Sequence, residues 1–167
     1  MSTVVTNYKS QVHTQETLDS TDAPAAASGG RTIVHDGYDT SRLGLTAGSS
    51  VPVSLVAMFR QTLVADVATI DLTSLHGVTG TLTALGKKVQ IAKFKAPISN
   101  SAAISVTEGA VNGYALAGPA WKATLAPGQE VTYFLNDKAP DVAAADKTID
   151  LAGVGSTDYL ECTIIAG

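Results

Sequence analysis

The residues of this 167-residue chain that could do chemistry are three histidines, one cysteine and scattered aspartates. His35-Asp36-Gly37-Tyr38-Asp39 puts an imidazole and carboxylates close together, and both are sound metal ligands. The Asp-Gly step equally builds an Asx-rich turn, and that reading is preferred. Asp137, Asp141, Asp146 and Asp150 offer oxygen donors of the kind calcium takes. Their spacing is too wide for one loop and the D-x-D-x-D-G pattern is absent, which favours solvated loop carboxylates. Gly80 to Gly86-Lys87-Lys88 approximates a phosphate-cradling loop. It is one residue too long, and Lys88 stands where Ser or Thr would hold magnesium. No G-x-S-x-G elbow occurs. His13, His35 and His76 lie in polar or turn contexts with no recognisable nucleophile partner. Cys162 is in phase with Leu160 and Ile164, as a small buried hydrophobe would be, and a lone cysteine forms no intrachain disulfide. Tyr114, Trp121, Tyr133, Phe134 and Tyr159 would suit a sugar-stacking platform, but Trp121 and Tyr133 fall in core-facing phases. The residues therefore assign no catalytic, cofactor-binding or metal-binding position and call for no cofactor, so the expectation is a protein that is not an enzyme.

The elements that would position these residues read as β throughout. The clearest stretch is Gly113 to Leu135, where Trp121, Ala123 and Leu125 share one phase and Val131, Tyr133 and Leu135 share another, on either side of Ala126-Pro127-Gly128-Gln129. Period-two alternation around a Pro-Gly turn predicts two half-buried strands. Keeping both sets on one face of a single hairpin requires a five-residue connection through Glu130, or a bulge near Gly128. Otherwise the strands belong to opposite sheets and the turn crosses between them. Further strands are expected at 31–35, 51–59, 62–72, 88–96, 102–107, 147–151 and 158–165, and a short helical turn within Asp141–Asp146. Short strands at this spacing, with turns at Asp36-Gly37, His76-Gly77, Leu85-Gly86 and Asn112-Gly113, predict an all-β antiparallel sandwich, jelly-roll-like or barrel-like. Thr69-Ile70-Asp71-Leu72 recurs as Thr148-Ile149-Asp150-Leu151, too short a match to argue duplication. Residues 1–30 are Thr-, Ser- and Gln-rich and end in Ala23-Pro24-Ala25-Ala26-Ala27-Ser28-Gly29-Gly30. They are expected to be an extended polar arm, with the sandwich domain spanning 31–167.

Composition sets the partners. Charged residues are 16% of the chain, against roughly 25% in typical soluble domains. Such a surface suits a subunit covered by its neighbours, and equally one solvated by Ser, Thr and Gly. A net charge of −4 lacks the basic footprint of a nucleic-acid binder. Lys87, Lys88, Lys93 and Lys95 form one basic cluster, expected to guard a strand from edge-to-edge pairing. No stretch approaches the eighteen or so apolar residues of a membrane span. The N-terminus lacks the apolar core of a secretory signal, so a chain made and kept in a cytoplasm, or released from one by lysis, is expected.

The segments VATIDLTSL, KVQIAKFKAPISNSAAISVTEGAVNGYAL, LAPGQEVTYF, KTIDLAG and CTIIAG carry a resemblance. From about Val53 to Gly167 the chain resembles small β-sandwich virion structural proteins of tailed bacteriophages, with Asn112-Gly113-Tyr114 the most distinctive part. The resemblance implies a capsid decoration (cement) protein located in the virion, with copies of itself (a trimer), the major capsid protein or other virion proteins as partners. Charge and hydropathy leave no nucleic acid and no membrane among the expected partners, and the resemblance carries over no catalytic residue. A tail or tail-tube subunit, and a carbohydrate-binding adhesion module, are the alternatives.

Overall fold

From Leu55 the chain alternates buried and outward residues: Leu55 and Ala57 face inward, Met58 and Arg60 outward. That phase makes it a strand with one face on a core. In the computed structural model the same logic repeats along the chain. The structure describes residues 5–11, 14–18, 31–35, 40–77, 80–155 and 157–167. The strands in order are β1 (Val5–Gln11), β2 (Thr14–Leu18), β3 (Arg31–His35), β4 (Thr40–Thr46), β5 (Leu55–Thr62), β6 (Val67–Asp71) and β7 (Leu75–Gly77). They continue with β8 (Gly80–Leu82), β9 (Val89–Lys95), β10 (Ile104–Glu108), β11 (Lys122–Leu125), β12 (Glu130–Phe134), β13 (Thr148–Ala152) and β14 (Tyr159–Ala166). No α-helix occurs among the described residues.

The chain divides into two compact units, Thr6–Gly44 and a body, Leu45–Gly167, with which Val5 is grouped. In the first, β1 pairs with β4, and β2 pairs with β3 in antiparallel register from Thr14↔His35 to Leu18↔Arg31. The strand expected at 31–35 thus pairs inside this unit, and the body begins at Leu45 rather than at Arg31. His13 and Asp36–Asp39 lie outside the described residues.

The body is a sandwich of two four-stranded antiparallel sheets, ordered β11-β10-β13-β6 and β12-β9-β14-β5. Their facing sides meet in one core. One sheet contributes Ile70, Ile104, Val106, Ile149 and Leu151, and the other Ala57, Phe94, Leu160, Cys162 and Ile164. A small β7–β8 hairpin follows β6. The two Thr-Ile-Asp-Leu copies lie side by side on β6 and β13, with Thr69 opposite Asp150 and Thr148 opposite Asp71.

The Pro-Gly turn crosses between the sheets. Leu125 ends β11, paired to β10, whereas Glu130 starts β12, paired to β9. The five-residue hairpin and the bulge are therefore not used. The sequence itself fixes the crossing. Gly128 takes φ 86°, which glycine adopts at little cost. The Gln129 side chain accepts the Ala126 N–H (2.9 Å), and Gly128 N–H donates to the Ala96 carbonyl (2.8 Å).

Two expectations are corrected. Asp141–Asp146 is not helical: Ala143 and Asp146 exchange backbone hydrogen bonds at 3.0 and 3.1 Å in a tight turn, and Asp141 bridges to Lys88. The aspartates bounding Val142-Ala143-Ala144-Ala145 favour turns as strongly as the alanines favour helix. Nor do the lysines guard an edge. Lys93 and Lys95 stand on β9, an interior strand flanked by β12 and β14. Their amines meet Glu130 (2.9 Å) and Glu161 (3.4 Å) on the outer face. Exposed pairs of this kind add at most about 1 kcal/mol each, but they fix cross-strand register.

Candidate functional site

Several polar side chains of the body tie loops and turns together. Asp158, only 5% exposed, accepts from Ser101 N–H (2.9 Å), Ser101 Oγ (3.0 Å) and Ala102 N–H (3.0 Å). Gln90, fully buried, exchanges hydrogen bonds with Asp137: its amide donates to Oδ1 (3.2 Å) and its oxygen accepts the Asp137 N–H (2.9 Å). Asp150 accepts from Thr69 Oγ1 (2.7 Å) and Ala110 N–H (2.8 Å). The acidic series is thus dispersed over separate loops and strand β13, and no three metal-ligating side chains converge among the described residues.

The aromatic set is dispersed too. Tyr114 is fully buried, its hydroxyl donating to the Pro140 carbonyl (2.7 Å) and accepting the Val89 N–H (3.2 Å). Burial pushes its pKa up to about 12. The distinctive Asn112-Gly113-Tyr114 segment is therefore a plug: the Asn112 carbonyl accepts Lys147 and Thr148 N–H, and a Cβ at Gly113 would strike the Gly109 carbonyl. Trp121 is buried between Phe94 and Tyr133. A platform that needs Tyr114 and Trp121 on the surface is excluded by their burial.

Cys162 is 2% exposed, and desolvation raises its thiol to about 12. The thiolate is the reactive form, so a thiol reagent is expected to leave the native protein unmodified and to label it fully once denatured. Native-state labelling at the rate of a free thiol would contradict this burial.

One concavity of the body gathers three polar side chains that hold no turn, Gln61, Ser74 and His76. It lies where β5 and β6, the edge strands of the two sheets, come together with β7, and encloses about 350 Å³. Phe59 and Gln61 continue the inward phase of Leu55 and Ala57 past the end of the core. Thr69–Asp71 forms the second wall and Ser74–His76 the third. Phe59 and His76 rings sit 6.1 Å apart, tilted by 58°. Asp71 is already engaged by Lys147 Nζ (2.7 Å), Thr73 Oγ1 (2.6 Å) and Thr73 N–H (2.8 Å). Desolvation pushes its carboxyl up, but these hydrogen bonds outweigh that and hold it below its usual value. No hydrogen bond among the described residues engages the side chains of Gln61, Ser74 or His76. A larger, apolar groove of about 620 Å³ lies elsewhere, lined by Ala115, Leu116, Gly118, Phe134, Lys138 and Pro140.

No protein-family model, curated protein or solved structure matches this chain. The sequence does not show the groove: expected strands at 51–59 and 62–72 leave Gln61 between them, whereas it lies within β5. The available signal was its phase, two residues beyond Phe59 on the core-facing side.

Proposed function

We propose that this chain is a non-enzymatic virion structural protein, a decoration (cement) protein that binds an assembled capsid shell and associates with copies of itself. The observation that carries the reading is the division into a sandwich body and a separate unit of paired strands, Thr6–Gly44. An isolated pair of strands is at best marginally stable in water. In a two-stranded sheet each strand keeps one backbone edge that its partner does not pair, and such edges gain from pairing with a further surface. The low charge content, 16%, and the resemblance of the body segments to phage virion proteins support the same reading.

In this role the body is the rigid element and the N-terminal unit the attachment device. A protein that binds only the assembled shell stabilises it by mass action. Self-association into a closed ring, a trimer, would cover further strand edges. Deleting residues 1–44 is expected to leave the melting of the body unchanged and to reduce occupancy on purified shells at least tenfold, measured by co-sedimentation. Full occupancy by the truncated protein would overturn the attachment role.

A further inference from the structure

The groove between β5, β6 and β7 has the lining of a small-ligand site. The free edge of β6 is closed at both ends. Leu72 N–H bonds to Lys147 and Gly153 N–H to Asp66, so the alternate residues Val67, Thr69 and Asp71 direct their backbone groups away from β13. Val67 is taken in both directions by Val64, and the Asp71 carbonyl by Ser74 N–H. That leaves the Thr69 N–H and carbonyl and the Asp71 N–H. A ladder one residue long is too short to add a strand, which argues against an extended peptide.

What remains suits a compact polar molecule. The groove offers an aromatic ring (Phe59), a planar amide (Gln61), a hydroxyl (Ser74), an imidazole (His76) and one residue of open backbone. Donors and acceptors are mixed, and the one carboxylate, Asp71, is neutralised by Lys147. About 350 Å³ falls at the small end of ligand sites, which run to roughly 300–1,000 Å³. We propose that this groove binds a small neutral carbohydrate, its C–H face against Phe59 and its hydroxyls on Gln61, Ser74, His76 and the Thr69 backbone. A neutral polyol matches a mixed donor–acceptor lining that presents no unpaired charge, and its apolar ring face matches the Phe59 ring that lines the groove.

The test is saturation-transfer NMR on the full chain with neutral disaccharides built from glucose, galactose, mannose and N-acetylglucosamine. At least one is expected to receive saturation and to shift the amides of Thr69–Leu75. Gln61→Ala and His76→Ala, at partly or fully exposed side chains, should each weaken binding severalfold without lowering Tm. Phe59→Leu, which keeps an apolar filler but removes the ring, should weaken it about tenfold. Absence of transfer to the whole panel would overturn the proposal. So would binding that survives the Gln61→Ala/His76→Ala double variant, or a Thr-Val repeat peptide that shifts Thr69 when no sugar does.

Discussion

Trp121→Ala is expected to lower the stability of the body by about 3–5 kcal/mol, the range for deleting a buried large aromatic. The indole couples the two sheets. It precedes β11 in one, stacks on Phe94 of β9 in the other (6.5 Å, 21°) and meets Tyr133 of β12 edge-on (5.8 Å, 70°). Its Nε1 donates to the Tyr114 carbonyl at 2.9 Å. Alanine would leave a cavity between the layers and strip the Tyr114 carbonyl of that donor. Trp121→Phe keeps most of the packing and loses the hydrogen bond, so a smaller cost of about 1–2 kcal/mol is expected. Denaturant unfolding followed by circular dichroism measures both. Equal midpoints for wild type and Trp121→Ala would show that the indole does not couple the sheets.

Asp158→Ala should lower Tm by roughly 5–10 °C. It leaves the Ser101 and Ala102 N–H groups without their acceptor and frees the loop before β10 from the loop before β14. Asn100 ties the same loops, donating to the Tyr159 carbonyl at 2.8 Å. The pH dependence gives a sharper test. The Ser101 backbone hydrogen bond, foremost, holds the Asp158 carboxyl below its usual value, against the opposing effect of desolvation. A group depressed in the folded state contributes stability that is complete above its unfolded pKa, about 3.9. That contribution is lost as pH falls through the folded value. The gap in Tm between wild type and Asp158→Asn should therefore narrow below pH 4. A gap independent of pH from 7 to 3 would show that the charge contributes nothing. Asp71 and Asp137 are also depressed, so the comparison must be with the variant and not with wild type alone.

Local pattern carried much of the fold. The phase of Leu160, Cys162 and Ile164 placed all three in the core, where they are. The conflict between the Trp121–Leu125 and Val131–Leu135 faces left two solutions, and the crossing between sheets is the one adopted. What failed depended on neighbours distant in sequence. Lys93 and Lys95 look like edge residues until β12 and β14 are seen on either side of β9. Alanines within Asp141–Asp146 read as helix until Lys88 pairs with Asp141. The groove was illegible for the same reason: Gln61, Thr69 and His76 share no motif, and only the meeting of two sheet edges brings them together.

The position of β14 has a consequence for how the body is assembled in time. It lies between β5 and β9, and its pairing with β5 runs from Tyr159↔Thr62 to Ala166↔Leu55. Closing that ladder joins points separated by roughly a hundred residues, and the loop entropy must be met before the contact stabilises anything. Until β14 docks, β5 and β9 each present an apolar stripe and an open backbone edge. Slow folding, and a tendency of the unfinished chain to stick to copies of itself, follow from that one late strand.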